Sequence, residues 1–265
     1  MIKLVALDID GTLVGKDHQI PPRTREAIRT AGDRGVRFAI VTGRMYKSCV
    51  PYARELGLEG MPLVAYNGGM VCEYPSGRLI YHAPVPLDVC KAMAAFCEAR
   101  GYHLQAYVGD ELYVPNMGPY TREYAANAGV AAHDVGPLSA WLQKPSTKLL
   151  IIHDAQEMPR VRAEVLALLG PAVEAASSHP HYLECVSPGV SKGTALEAIA
   201  ASLGLERAEV MAVGDGMNDM DMLQWAGTSF AMAHAPEPLR RVATHVTESG
   251  PGDGVAEALE RMGLA

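Results

Sequence analysis

The sequence predicts an α/β fold in which a doubly wound, mainly parallel core sheet carries an inserted α+β domain. Three observations lead there. Short apolar strands alternate with helices in the first third of the chain, the alternation resumes from Lys192 to Met262, and the stretch between follows a different pattern. Strands joined through helices need crossover connections, which lay consecutive strands parallel.

Lys3 to Leu7 is the first expected strand, followed by a helix over Pro22 to Ala31 with proline near its first turn, where a missing N–H costs nothing. Val36 to Val41 is a strand, Met45 to Leu56 a helix interrupted by Pro51, and Pro62 to Tyr66 a strand closed by Asn67 and Gly68. Met70 to Glu73 and Leu79 to His82, joined by Tyr-Pro-Ser-Gly, read as a hairpin.

The character changes at Pro84-Val85-Pro86. Leu87 to Arg100 presents a helical face of Val89, Met93, Phe96 and Cys97, and His103 to Pro115 reads as two strands around Gly109-Asp110. Lys148 to His153 is a strand, Met158 to Leu169 a helix, and Ala172 to Ala176 pairs with Tyr182 to Val186. Helices beside hairpins imply an antiparallel sheet. The expected division is therefore a discontinuous core over residues 1–85 and 188–265, with residues 86–187 inserted.

At 265 residues, with 49% hydrophobic and 20% charged residues, the chain can bury a sizeable core as one large or two modest domains. A formal net charge of −7 without any Lys/Arg block argues against nucleic acid or anionic membrane as the main partner, and leaves monomer and homodimer both open. No run approaches a membrane span, and MIKLVALDID lacks the parts of a signal peptide, so a cytoplasmic location is expected. The five cysteines show no CxxC spacing, which suggests buried thiols rather than zinc or disulfides. His179-Pro-His181 is read as a turn, and the nine histidines are assigned no chemistry.

Four strand or helix ends carry candidate chemistry. VALDIDGT places Asp8 and Asp10 at spacing i, i+2 beyond an apolar strand, followed by Gly11 and Thr12. Strand alternation would put both carboxylates on one face, where their repulsion calls for a divalent cation. A turn that merely closes the strand is the plainer alternative. VRFAIVTGR ends in Thr42 and Gly43, a hydroxyl and free N–H groups suited to an anion. Lys192 follows Ser191 at a helix start, and VMAVGDGMND ends a strand with Asp215, Asn218 and Asp219. Ligands of an open parallel sheet sit outside the carboxyl ends of its strands, so these distant segments can meet. A calcium loop starting at Asp215 or Asp219 fails, because neither start supplies the sixth-position glycine and twelfth-position glutamate.

In this chain order the segments resemble the four motifs of the haloacid dehalogenase superfamily of phosphohydrolases: Asp8-Ile-Asp-Gly-Thr12, Thr42-Gly-Arg44, Lys192-Gly193 and Gly214-Asp-Gly-Met-Asn-Asp219. Asn67-Gly68-Gly69, VSPGVSKGTAL and the GDGVAEALE tail are similar to the Cof-type branch, which has a large cap between the second and third motifs. The likeness is close at both ends of the chain and loose in the middle. The AMAHA segment departs from the branch, with His234 where it usually has Asn.

The resemblance implies a Rossmann-like core, an α+β cap that sets specificity, and Mg²⁺-dependent hydrolysis of small-molecule phosphomonoesters of the sugar phosphate, phosphoglycolate or cofactor-phosphate type. Asp8 is then the nucleophile that forms an aspartyl-phosphate, and Asp10 the acid and base. Asp8, Asp10, Asp215 and Asp219 surround the metal, with Asp219 better placed one layer out. Thr42 and Lys192 hold the transferring group. Gly11, Thr12, Gly43 and Asn218 complete the phosphate site, and Arg44, Asn67 and Gly68 either touch substrate or serve only as structure. A phosphomutase on the same fold is the main alternative. A phosphate-sensing binding protein on this fold is a further one, opposed by every catalytic position being filled. Gly189-Val-Ser-Lys-Gly193 also matches a serine nucleophile elbow with Ser191 at its centre and Asp215 and His234 or His245 following, but that reading leaves the first two motifs without a task.

Overall fold

In the computed structural model, which describes residues 1–177 and 179–265, the chain forms two compact units. The first comprises residues 1–43, 49–80 and 191–265, the second residues 44–48 and 81–190. The division thus falls at 80/81 and 190/191, where the sequence suggested 85/86 and 187/188, and groups the short segment 44–48 with the insert.

The N-terminal part runs β1 (Leu4–Leu7), α1 (Pro22–Asp33), β2 (Arg37–Ile40), α2 (Tyr46–Glu55), β3 (Pro62–Ala65), β4 (Met70–Glu73) and β5 (Leu79–His82). The insert contributes α3 (Leu87–Arg100), β6 (His103–Val108), β7 (Glu111–Val114), α4 (Pro119–Ala128), β8 (Ala132–Asp134), α5 (Leu138–Trp141), β9 (Leu149–Ile152), α6 (Met158–Leu169), β10 (Glu174–Ala176) and β11 (Tyr182–Val186). The chain closes with α7 (Lys192–Ser202), β12 (Val210–Gly214), α8 (Met220–Trp225), β13 (Thr228–Ala231), α9 (Glu237–Val242), β14 (His245–Val246) and α10 (Asp253–Arg261).

The first unit is built on a parallel five-stranded sheet in the order β14-β13-β12-β1-β2. Every residue of β1 and β12 is buried, the unbroken apolar run of strands covered on both faces. Leu4 and Ala6 pack with Leu196, Ile199 and Leu223 of α7 and α8, while Val5 and Leu7 are equally buried on the opposite side. Helix α1 buries Thr24, Ala27, Ile28 and Ala31, spaced to form one stripe, and packs on α10. Register matters most for function: Leu7 lies opposite Ile40 on one side and Val213 on the other, so the residues just past β1, β2 and β12 emerge side by side at one sheet edge.

The second unit is a six-stranded sheet, β10-β11-β9-β6-β7-β8, antiparallel except for the β7–β8 pair. Leu104, Ala106, Leu149, Ile151, Leu183 and Cys185 form its apolar face against α3, α5 and α6. The alternate positions Gln105, Tyr107 and Glu184 are buried too, with Lys148 Nζ 3.1 Å from Glu184 Oε1. No helix among the described residues is long and apolar enough to cross a membrane, and all five cysteines are buried and none forms a disulfide.

Three local expectations change. Pro51 does not interrupt α2, because it falls in the second turn and removes one N–H while Cys49 and Ala53, both fully buried, hold the helix. Helix α3 buries Cys90, Met93, Ala94 and Cys97, a face rotated from the expected one, with Val89 and Phe96 only partly covered. Strand β1 ends at Leu7, so alternation does not relate Asp8 to Asp10; a tight turn does, with Leu13 N–H bonding Asp8 O and Val14 N–H bonding Ile9 O.

Candidate active site

The edge where β1, β2 and β12 end gathers most of the residues that the sequence singled out. Asp8 N–H still pairs with Val213 O at 3.1 Å, which fixes the carboxylate at the strand terminus, and its side chain is nearly buried. Gly11 follows with φ +82, a conformation that disfavours other residues, and a Cβ there would overlap the Asp215 carboxylate. The glycine therefore lets the β1 turn close on the β12 loop. Thr12, fully buried, donates from Oγ1 to Asp215 Oδ1 at 2.7 Å.

Lys192 stands at the first turn of α7, whose N-cap is Ser191; Thr194 N–H donates to the Ser191 hydroxyl at 3.1 Å. The lysine ammonium is completely buried and donates to Asp8 Oδ1 at 2.7 Å and Asp219 Oδ1 at 2.6 Å. Asp219 Oδ2 in turn accepts the N–H groups of Asp215 and Gly216 at 2.9 and 2.8 Å. Asp219 thus shapes the loop that presents Asp215 and anchors the lysine, with both of its oxygens engaged. Asp8 Oδ2, by contrast, receives no hydrogen bond among the described residues.

Asp8, Asp215 and Asp219 each offer a carboxylate oxygen within 4.8 Å of the others. Three carboxylates against one ammonium leave two negative charges in a largely buried place. Burial pushes the Asp8 carboxyl well above the ordinary range; Lys192 opposes this, and Asp219, Asp215 and Asp10 add to it. Burial likewise raises Asp215, reinforced by Asp219 and resisted by Thr12, His234 and Lys192. For Lys192 burial favours the neutral amine, but Asp219 and Asp8 outweigh it and hold the charge. An all-oxygen donor set with a residual charge of this sign fits a hard divalent cation such as Mg²⁺.

The remaining expected residues divide. Thr42 is buried just beyond β2; its N–H bonds Val64 O at 3.0 Å and its carbonyl accepts Asn67 N–H at 2.9 Å. Asn67 Oδ1 accepts from Asn218 Nδ2 at 3.0 Å and lies 3.0 Å from where a Gly43 Cβ would stand. Gly68, at φ +105, approaches the Ser191 carbonyl so closely that no side chain fits. Asp10 is exposed and bridges Val14 across the turn, and Arg44, half-buried, belongs to the segment that packs with the second unit.

His234, which the sequence set after Asp215 in the serine-elbow reading, has its Nε2 3.3 Å from Asp215 Oδ2. The contact of Gly193 N–H with Asp221 Oδ2 at 3.2 Å had no sequence signal. Ser191 has φ −152, extended rather than the sharp turn of a nucleophile elbow, and its hydroxyl is spent on capping.

Residues 5–259 match the family model of haloacid dehalogenase-like hydrolases. A 5-amino-6-(5-phospho-D-ribitylamino)uracil phosphatase of Bacillus subtilis is 30% identical over 264 residues, covering 97% of this chain and 96% of that protein. A solved haloacid dehalogenase-like hydrolase from Bacteroides thetaiotaomicron superposes with a TM-score of 0.88 at 31% identity, covering 99% of this chain and 100% of its own. A HAD subclass IIB sugar phosphatase superposes with a TM-score of 0.86 at 26% identity over 99% of this chain and 100% of its own.

The raised Asp8 carboxyl has a consequence for stability. A folded pKa above the unfolded value of about 3.9 favours folding below that value and is lost as pH rises through the folded one. Asp8→Asn, which cannot ionise, should therefore raise the melting temperature of the EDTA-treated protein at pH 7.5, with the gain shrinking toward pH 4. A variant less stable than the parent at pH 7.5 would show that Lys192 outweighs burial.

Proposed function

The chain belongs to the haloacid dehalogenase-like hydrolases, and on that premise we propose that it is a Mg²⁺-dependent phosphatase of small phosphomonoesters that works through an aspartyl-phosphate on Asp8. One observation carries the reading: Lys192 binds Asp8 by Oδ1, and no described residue donates to Oδ2. That is the oxygen we assign to in-line attack on phosphorus.

In the first half-reaction a new bond forms between Asp8 Oδ2 and phosphorus while the ester P–O bond breaks, and Asp10 gives its proton to the departing alkoxide. The exposed position of Asp10 beside the turn suits a group that exchanges protons with the leaving group and with water. In the second, water attacks phosphorus, Asp10 takes its proton, and the bond to Asp8 breaks to free phosphate. Lys192 opposes the rise that burial imposes on the Asp8 carboxyl, and the Thr42 hydroxyl and the Lys192 ammonium are assigned to the phosphoryl oxygens. Gly11, Thr12, Gly43, Asn67, Gly68 and Asn218 are assigned to framing that site, and Arg44 to the substrate side. Asp8, the Asp10 carbonyl and Asp215 would hold Mg²⁺, with Asp219 one layer out because Lys192 and two N–H groups occupy it. The ion, when bound, offsets the carboxylate repulsion and the phosphate charge.

Discrimination among phosphate esters we assign to the insert, residues 86–187, acting as a cap. Relatives that match over nearly the whole chain differ in substrate: one is named a 5-amino-6-(5-phospho-D-ribitylamino)uracil phosphatase and another a sugar phosphatase.

Three experiments test these assignments. With p-nitrophenyl phosphate, EDTA should abolish turnover, Mg²⁺ should restore it and the larger, looser-shelled Ca²⁺ should restore it poorly. Asp8→Asn should lower kcat/KM on the order of 10³-fold or more, while Ser191→Ala should cost only the helix cap, about 1 kcal/mol of stability. Activity that survives Asp8→Asn but not Ser191→Ala would refute the assignment. For the insert, replacing residues 86–187 by a short Gly/Ser linker should leave slow hydrolysis of p-nitrophenyl phosphate and erase preference among natural esters. A folded remainder that keeps its preference would place specificity elsewhere.

A further inference from the structure

The loop after β13 is held to the catalytic edge by its backbone. Met232 N–H donates to Gly214 O at 3.0 Å, Ala233 N–H to Thr247 Oγ1 at 3.0 Å, and Ala235 N–H returns to Met232 O at 2.9 Å. Residues on either side of His234 are thereby fixed, one of them directly to the residue that precedes Asp215. From this anchored turn His234 reaches Asp215, with Nε2 3.3 Å from Oδ2.

The other oxygen of the same carboxylate accepts from Thr12 Oγ1 at 2.7 Å. Asp215 is thus gripped at both oxygens, from β1 on one side and from the β13 loop on the other. A carboxylate held by one donor can still rotate about its terminal torsion, whereas two donors on two oxygens fix the plane. Each oxygen keeps a second lone pair for a cation. Free rotation would be costly here, because Asp8 and Asp219 lie within 4.8 Å and repel an unrestrained Asp215.

We propose that His234 is a positioning residue for cation binding: its Nε2–H donates to Asp215 Oδ2 and, together with Thr12, sets the orientation in which Asp215 receives the divalent ion. The inference rests on the reading of Asp215 as a metal ligand. As a stabiliser of the fold the contact is weak, since the His234 side chain is 43% exposed, so substitution there leaves the protein folded. Its effect is confined to how well Asp215 is presented. Outer partners of metal-binding carboxylates and imidazoles change affinity by about 10–100-fold when removed.

The experiment uses the full chain without substrate and Mn²⁺ as the probe, with free Mn²⁺ followed by electron paramagnetic resonance. His234→Ala should weaken Mn²⁺ binding about tenfold with an unchanged melting temperature in EDTA. His234→Gln, whose side-chain N–H reaches about as far as the imidazole Nε2, should restore affinity to within about threefold of the parent, and His234→Asn, which is shorter, should not. Parent-like affinity in His234→Ala, or a loss that His234→Gln fails to repair, overturns the proposal. Asp215→Asn separates the two readings: if it abolishes binding while His234→Ala does not weaken it, the metal site stands and the role of His234 falls. If Asp215→Asn binds Mn²⁺ like the parent, both fall.

Discussion

The double ion pair of Lys192 is the interaction on which the rest of the site depends. Removing an ammonium from water costs several kcal/mol even in a relaxed protein, and a fully buried lysine is tolerated only with close partners. Lys192 has two, Asp8 and Asp219, drawn from positions 184 and 27 residues away. One side chain therefore ties the end of β1, the first turn of α7 and the β12 loop together. Because Asp219 also accepts the N–H groups of Asp215 and Gly216, the same charge fixes the loop that carries the third carboxylate. Two like charges beside a cation are stable here only because the cation is shared.

That arrangement leaves an excess of negative charge, which favours a divalent cation and, until one offsets it, opposes a phosphate. The raised carboxyl of Asp8 reflects burial first, with the neighbouring carboxylates adding to it and Lys192 opposing, and a divalent ion would relieve it. The parallel register supplies the geometry, since Leu7 beside Ile40 and Val213 delivers the three segments to one edge.

Much of this was legible in the sequence because each piece carries a local signature: an apolar strand that stops at an acid, a lysine at a helix start, glycines where chains must approach. Asp8, Asp215 and Lys192 are of that kind, and the parallel sheet follows from strand and helix alternation. What was not legible depends on contacts without local cause. Helix α4 buries only Thr121 and so shows no apolar stripe, and β8 is a three-residue strand of mostly exposed residues that pairs parallel to β7. The bond from Thr12 to Asp215 spans 203 positions, and that of His234 depends on how the β13 loop is pinned rather than on any spacing. The shared-face argument for Asp8 and Asp10 reached a workable site for the wrong reason, because a turn and not a strand separates them.

The account stands or falls on Asp8 as the atom that takes the phosphoryl group. A crystal structure of the protein with Mg²⁺ and beryllium fluoride, a mimic of a phosphoryl group on a carboxylate, tests it directly. We predict a tetrahedral beryllofluoride on Asp8 Oδ2, contacted by Lys192 and Thr42, with the cation against Asp8 and Asp215. Beryllofluoride on any other side chain, or a cation seated away from this cluster, would contradict it.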